Sequence, residues 1–155
     1  MSITARMSRA ATCTILLVQH SADDGRYMYA EFLDHHGFVT IVVSSAADAL
    51  KIASLANVVV TGIRLDREAD GLELIARLRD DRHTKNTPII VLTASVSATN
   101  RERAKSAGCD VFLAKPCLPE VLLLSIRGLL TPGARDAKPS GKSSGSMSWR
   151  QRRLH

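Results

Sequence analysis

The sequence of 155 residues has few aromatic side chains and no long apolar run. Aromatic residues make up only 4% of it, and no stretch approaches the ~20 apolar residues that a membrane-spanning helix needs. The polar N-terminal segment also lacks the apolar core of a secretory signal peptide. We therefore expect a cytoplasmic protein rather than a membrane or secreted one.

Cysteine is scarce as well, with Cys13, Cys109 and Cys117 far apart in the chain. No CxxC pair or clustered histidine accompanies them, so the sequence indicates neither a disulfide framework nor a zinc site. We expect three reduced thiols. A redox-sensing role for Cys117 is an alternative, because the nearby cation of Lys115 can lower a thiol pKa.

The net charge of +6 is distributed unevenly along the chain. Residues 13–130 contain 13 Lys and Arg against 14 Asp and Glu, whereas residues 131–155 contain six basic residues and one acid. Residues 132–148 are rich in Pro, Gly and Ser and have too few apolar side chains to form a core. We expect a flexible N-terminus over 1–12, a folded domain over 13–130 and a disordered basic tail over 131–155.

Within the folded domain, short apolar segments alternate with amphipathic ones. The pattern predicts strands over 13–18, 38–43, 57–61, 88–93 and 111–113, and helices over 23–36, 46–55, 71–82, 97–107 and 118–130. Ser45 and Ser97 are typical N-caps, and Gly37 and Gly108 are typical helix ends. This alternation favours a parallel sheet covered by helices on both faces, with the functional crevice at the carboxyl ends of the strands.

Four segments resemble the receiver domain of bacterial response regulators: LLVQHSADDGR, VVVTGIRL with the later DGLELIARLR, TPIIVLTA, and AGCDVFLAKP. The resemblance covers residues 13–130. It implies the CheY-like, flavodoxin-like (βα)₅ fold, an α/β/α sandwich with five parallel strands in the order 2-1-3-4-5. It also implies a place in two-component or phosphorelay signalling.

In that family, an Asp after the third strand accepts a phosphoryl group from a sensor kinase. Mg²⁺ held by an acidic pair after the first strand assists the transfer. The resemblance assigns Thr93 and Lys115 to positions that bind the phosphoryl group, and Phe112 to the aromatic switch position. These three residue types are retained.

The family's acceptor Asp and its Mg²⁺-binding acidic pair are not retained. Gly62 occupies the acceptor position, while Gln19 and His20 occupy the positions of the acidic pair. Glycine has no side chain to phosphorylate, and Gln and His are poor Mg²⁺ ligands. We expect weak or absent Mg²⁺ binding, no other cofactor and no enzymatic activity. His20 is also a candidate pH sensor, metal ligand or phosphoacceptor, although the sequence shows no partner for it.

Other acids leave alternatives open. Asp66, four residues beyond the acceptor position, is an alternative acceptor if a shifted loop brings it inward. Asp66 and Asp70 are equally typical of turns and helix caps, and Asp23 and Asp24 are expected to begin the first helix. Without the family's acids, Lys115 is expected to lack a carboxylate neighbour, so that the cleft is net positive and open to a small anion.

The last helix and the tail are candidate partner surfaces. Helical spacing predicts a core stripe in the last helix, with further leucines outside it; the stripe is Leu118, Val121, Leu122, Ser125, Ile126 and Leu129, and the extra residues are Leu123, Leu124 and Leu130. In receivers, the fourth helix, fifth strand and fifth helix form the face on which dimers and targets dock. Here the fourth helix adds Arg101, Arg103 and Lys105 to that face.

The sequence as a whole favours an atypical, stand-alone receiver. We expect it to act by phosphorylation-independent contact with a histidine kinase, another receiver or a target protein, and a homodimer is compatible with this function. One alternative is a phosphorylatable receiver that uses Asp66. Another is an adaptor that binds nucleic acid or an anionic membrane through the tail, whose SWRQRRLH segment combines Trp149 with three arginines.

Overall fold

A parallel five-stranded sheet forms the centre of the molecule. The computed structural model describes residues 13–67 and 69–131, and the strand order in them is β2-β1-β3-β4-β5, which confirms the expected fold. Val18 of β1 aligns with Val43 of β2 and Thr61 of β3, so these strands end at one edge. The strands are β1 (Cys13–Val18), β2 (Phe38–Val43), β3 (Val58–Thr61), β4 (Ile89–Thr93) and β5 (Val111–Ala114).

One helix follows each strand in the described chain, as the alternating pattern predicts. The helices are α1 (Gly25–His35), α2 (Ala46–Ile52, continued by a 3₁₀ turn over Ala53–Leu55), α3 (Gly71–Asp80), α4 (Ala98–Ala107) and α5 (Pro119–Leu130). The predicted caps are confirmed. The hydroxyls of Ser45 and Ser97 each accept a hydrogen bond of 3.1 Å from a backbone amide in the first turn of α2 and α4. Gly37 and Gly108 have φ angles of 95° and 119°, which suit glycine.

Two apolar layers cover the sheet, one on each face. Because neighbouring strand residues point to opposite faces, Leu16 and Val18 pack on the side of α2, α3 and α4, while Ile15 and Leu17 pack on the side of α1 and α5. Every residue of β3 and β4 is buried. This double coverage fixes the strand ends from which the functional side chains project.

The structure corrects the expected face of α5. Leu123 is buried together with Leu122 and Ile126, whereas Leu118 and Val121 are exposed. Leu118 lies outside the helix as its N-cap residue, so helical spacing does not determine where its side chain points. Other boundaries shift by a few residues; for example, α1 begins at Gly25 rather than at residue 23.

The amino edge of the sheet contains a buried ion pair that the sequence patterns did not reveal. Arg79, at the end of α3, donates to the fully buried carboxylate of Asp110 at 3.0 Å and to three backbone carbonyl groups. The same carboxylate accepts from the Ile89 amide at 2.9 Å. The pair therefore joins α3 to the beginnings of β4 and β5, at the edge opposite the predicted site. No helix in the described residues has the length and apolarity to cross a membrane.

Candidate functional site

The residues assigned by the resemblance meet at the carboxyl edge of the sheet. All of them except Phe112 line a cleft of about 520 Å³ to which the ends of β1, β3, β4 and β5 contribute. Its lining includes Gln19, His20, Asp23, Gly62, Thr93 and Lys115. A groove of similar size between α3 and α4 lies away from the strand ends and contains none of these residues. The position of the cleft matches the crevice expected from the strand pattern.

Lys115 is already paired within the cleft. Its ammonium group donates to Gln19 Oε1 at 2.5 Å and forms an ion pair with the carboxylate of Asp23. The side chains of Lys115 and Asp23 are largely buried, with 18% and 29% of their surfaces exposed, respectively. The expectation that Lys115 lacks a carboxylate neighbour is therefore wrong, and the anion site that depended on a free ammonium loses its basis.

Asp23 can pair with Lys115 because it lies in the loop before α1 rather than within the helix. Its side chain accepts from the Gly25 amide at 3.0 Å and turns toward Lys115. Burial alone would raise the pKa of the Asp23 carboxyl, but the hydrogen bond and the charge of Lys115 outweigh it and hold that pKa below its ordinary value of 3.8. Asp23 is thus a carboxylate, and Lys115 is its cation.

Gln19 has both ends of its amide occupied. It is 2% exposed; its Nε2 donates to the Leu92 carbonyl at 3.1 Å while its Oε1 accepts from Lys115. No cluster of three or more His, Cys, Asp or Glu side chains able to hold a metal ion occurs in residues 13–67 and 69–131. Mg²⁺ needs several oxygen ligands, and the oxygens of Gln19 and Asp23 are committed to an ammonium group. The residues present do not fit the family's Mg²⁺ site.

Gly62 follows β3 directly and donates its amide to the Val18 carbonyl at 2.8 Å. A Cβ atom built on it would meet Gln19 Nε2 at 3.4 Å, an ordinary contact, so the backbone leaves room for a Cβ atom at this position. The opposite holds for Gly71, where a Cβ atom would lie 1.8 Å from the Gly62 carbonyl oxygen. The start of α3 therefore packs directly on the backbone of Gly62.

Asp66 lies at the rim and is not one of the residues that line the cleft. Its Oδ1 accepts from the Ser21 amide at 3.0 Å and lies 3.3 Å from Nδ1 of His20, which itself accepts from the Ala22 amide at 3.0 Å. The hydrogen bond from Ser21 lowers the pKa of Asp66. The backbone of Asp66 also forms an isolated parallel β-bridge with that of Ser45, so the loop after β3 folds toward the loop after β2. These contacts join separate loops and are not the local backbone hydrogen bonds of the turn or cap role expected for Asp66.

Thr93 and Phe112 are both buried, and only Thr93 lines the cleft. The hydroxyl of Thr93 accepts from the Ser95 amide at 3.0 Å, within its own loop. The ring of Phe112 is 7% exposed, and the guanidinium group of Arg101 lies over it at 4.7 Å from the centroid. α4 is thereby attached to β5 through this cation–π contact.

The structure also bears on the roles expected for Asp70 and Cys117. Asp70 is an N-cap, because its carboxylate accepts from the Glu73 amide at 3.0 Å. Burial raises the pKa of the Cys117 thiol, which is opposite to the shift that a redox sensor requires. The tail beyond Thr131 and residues 1–12 lie outside the described residues.

The pairing of Asp23 with Lys115 is the contact in this cleft that the sequence patterns did not reveal. The available signal was the acidic run SADD after β1, because loops after β1 and β5 open at the same edge of a parallel sheet. Helix-dipole preference explained the same acids equally well, so the spacing alone did not choose between the two roles.

The model of the response regulator receiver domain matches residues 15–127. The chain is 34% identical over 136 residues to PetR of Rhodobacter capsulatus, covering 85% of this chain and 56% of PetR. It is 30% identical over 118 residues to the transcriptional regulatory protein SrrA of Staphylococcus aureus, covering 74% and 47%. The chain thus spans about half the length of these curated relatives.

Solved structures agree with this assignment. The chemotaxis protein CheY4 of Vibrio cholerae superposes with a TM-score of 0.70 at 26% sequence identity, covering 77% of this chain and all of CheY4. Both the family match and the strand order extend over the cleft described above. The chain belongs to the response regulator receiver domain family of two-component signalling.

Proposed function

We propose that this receiver acts as a phosphorylation-independent protein-interaction module. The observation that carries the proposal is the internal pairing of the cleft, in which Asp23 neutralises Lys115. In addition, the family resemblance assigns Gly62 to the acceptor position. Transfer of a phosphoryl group needs an acceptor carboxylate and a cation free to stabilise the charge that develops. On this proposal the chain has neither, so it is not an enzyme and binds Mg²⁺ weakly or not at all.

The network of Gln19, Lys115 and Asp23 supports a second part of the proposal. It joins the ends of β1, β4 and β5 through direct hydrogen bonds, with no bound ion or phosphate required. In our proposal this network replaces the phosphoryl group and holds the loops at the carboxyl edge in one arrangement. Partner binding then depends on the amount of protein and not on its modification.

The partner surface in this proposal comprises α4, β5 and α5. Arg101 of α4 lies over the ring of Phe112, and Lys105 follows one helical turn later on the same side of α4, so the face has a basic edge beside the apolar residues of α5. The exposed Arg103, which the sequence also assigns to this face, instead lines the groove between α3 and α4. A histidine kinase, another receiver or a target protein in the cytoplasm is the proposed partner. Capture of partners by the intact chain, with and without acetyl phosphate, should recover the same proteins in equal amounts.

Intact-mass measurement after incubation with acetyl phosphate and Mg²⁺ tests the central statement. A receiver known to accept phosphate serves as the positive control, and the chain is expected to show no adduct under conditions that label the control. Asp66→Ala is measured in parallel. An adduct of one phosphate that disappears in Asp66→Ala would contradict the proposal and favour the displaced acceptor.

A further inference from the structure

The loop between β1 and α1, residues 19–24, carries Asp23 but buries few of its side chains. Ser21, Ala22 and Asp24 are exposed. Apolar packing therefore cannot fix how this loop presents the Asp23 carboxylate to the cleft. Hydrogen bonds have to fix it, and one side chain, that of Arg26, contacts three of the carbonyl groups of the loop.

Arg26 lies in the first turn of α1 and points back into the loop that precedes the helix. Its Nη1 donates to the carbonyl oxygens of His20 at 3.3 Å and Asp23 at 3.0 Å. It also donates to the carbonyl oxygen of Ser21. A guanidinium group is a permanent cation that only donates hydrogen bonds, so converging carbonyl oxygens suit it. The loop thus surrounds a cation that belongs to the chain itself.

Tyr27 contacts the other arm of this guanidinium group. Nη2 of Arg26 donates to the Tyr27 hydroxyl at 2.8 Å, and Cζ lies 4.3 Å from the ring centroid. The face of an aromatic ring attracts a cation in this position. Arg26 is half-buried although Tyr27 is exposed, so the ring shields part of the guanidinium group from solvent.

The amide groups of the loop have different partners. The Ser21 amide donates to Asp66 Oδ1 at 3.0 Å. The Ala22 amide donates to His20 Nδ1, also at 3.0 Å. A carboxylate therefore holds the amide side of the loop, and the guanidinium group of α1 holds its carbonyl side.

α1 is itself attached to the loop that carries Lys115. The hydroxyl of the buried Tyr29 donates to the Cys117 carbonyl at 2.7 Å, two residues beyond Lys115. Arg26 lies one helical turn before Tyr29. Arg26 therefore connects the loop after β1 to a helix whose start is fixed relative to Lys115.

We propose that Arg26 is the positioning residue that holds Asp23 against Lys115. Its guanidinium group acts as an internal cation that orders the loop after β1, so the pairing in the cleft is set from within the chain. This inference rests on the proposed function, in which the network of Gln19, Lys115 and Asp23 replaces the phosphoryl group. It names the residue on which the arrangement of that network depends.

The charge of Arg26 acts in the same direction as its hydrogen bonds. Burial raises the pKa of the Asp23 carboxyl, whereas Lys115, the Gly25 amide and the charge of Arg26 lower it. Asp23 is thereby kept as the carboxylate that pairs with Lys115.

Proton exchange of the Lys115 ammonium group, followed by ¹H–¹⁵N NMR of the full chain, tests the inference. Hydrogen bonding slows this exchange, and Lys115→Arg assigns the signal by removing it. Arg26→Ala should speed the exchange about tenfold, because Asp23 is no longer held in place. Methylguanidinium chloride, at a concentration far below a denaturing one, should fill the vacated position and restore slow exchange. Sodium chloride at the same ionic strength should not.

Arg77→Ala is the matched control for this experiment. It removes an exposed guanidinium group that pairs with Glu73 on the surface of α3. We expect it to leave the exchange of the Lys115 ammonium group unchanged, with or without methylguanidinium.

A double-mutant cycle gives a second readout that does not depend on the ammonium signal. If Arg26 acts through the pairing of Asp23 with Lys115, the stability lost in Arg26→Ala should fall by about half or more in a Lys115→Met background. Urea unfolding at neutral pH measures the four chains, and circular dichroism checks that each one folds.

Unchanged exchange in Arg26→Ala would overturn the inference, and so would losses that simply add in the cycle. Equal restoration by sodium chloride and by methylguanidinium would overturn it as well, because the effect would then be general screening of charge. Neither measurement uses a phosphodonor. Failure of this inference therefore leaves the intact-mass result unaffected, whereas failure of the proposed function appears as a phosphate adduct.

Discussion

Two glycines in contact show opposite reasons for having no side chain. At Gly62 a Cβ atom would lie 3.4 Å from its nearest neighbour, Gln19 Nε2, so packing does not require glycine there. At Gly71 a Cβ atom would lie 1.8 Å from the Gly62 oxygen and 2.8 Å from the Gly62 carbonyl carbon, so both obstructing atoms belong to the backbone. Packing therefore requires glycine at position 71 but not at position 62.

We expect Gly71→Ala to reduce the free energy of unfolding by about 3 kcal/mol, because the start of α3 must move away from the end of β3. Gly128→Ala is the matched control, since its Cβ atom would meet nothing within 4 Å and alanine favours a helix; it should raise stability by about 0.5–1 kcal/mol. Urea unfolding at low protein concentration measures both. Equal effects of the two substitutions would contradict the close approach.

Asp23 makes stability depend on pH. Its pKa is lowered in the folded protein, so its contribution is present above the unfolded value of 3.8 and is lost as the pH falls through the folded value. Asp23→Asn should therefore be less stable than the unaltered chain at neutral pH, and the difference should shrink as the pH falls below about 4. Urea unfolding over a pH series measures this difference.

Asp24→Asn provides the comparison for that series, because the exposed Asp24 side chain makes no capping hydrogen bond. It removes the same charge next to Asp23 and gives the baseline for the series. If the stability difference between Asp23→Asn and the unaltered chain does not change with pH, then Lys115 does not hold the carboxylate as described.

At the scale of single elements, α3 shows how burial decides the strength of an ion pair. Arg77 pairs with Glu73 at 2.9 Å while 58% of its side chain is exposed, whereas Arg79 pairs with Asp110 at 3.0 Å with 16% and 0% exposed. Solvent weakens the first pair, but removing Arg79 leaves a buried carboxylate without that cation.

Arg79→Ala should accordingly lower the free energy of unfolding by about 3 kcal/mol or more, and Arg77→Ala by less than about 1 kcal/mol. Thermal and urea unfolding of the two variants provide the measurement. The cleft is at the opposite edge of the sheet, so partner capture by Arg79→Ala at low temperature should remain intact. Similar losses in the two variants would show that the buried network contributes little.

The order of elements was predictable from sequence, because buried parallel strands and capped helices leave strong local patterns. Ser45, Ser97 and Gly108 act where their chemistry indicates. The face of α5 was not predictable in detail, since seven of its twelve residues are apolar and several stripes satisfy helical spacing equally well. Long-range pairs such as Lys115 with Asp23 depend on which loops meet in space, and the sequence does not record that distance.

For the molecule as a whole, the sheet separates two ion pairs, one at each edge. Arg79 and Asp110 join elements at the amino edge, and Lys115 with Asp23 closes the cleft at the carboxyl edge. Each pair contains one positive and one negative charge. Over residues 13–130 the charges also nearly cancel, with 13 basic and 14 acidic residues. The net charge of +6 therefore belongs to the two ends of the chain.

This distribution leads to a prediction about nucleic acids and membranes. A chain that ends at Thr131 is nearly neutral and should bind neither duplex DNA nor anionic vesicles at physiological ionic strength. Binding by the full chain, if present, should weaken steeply with salt, because the six basic residues of 131–155 would account for the counterions released. Fluorescence anisotropy and vesicle sedimentation over a salt series compare the two chains. Salt-sensitive binding that persists in the shorter chain would place a basic surface on the folded domain, which its charge balance does not predict.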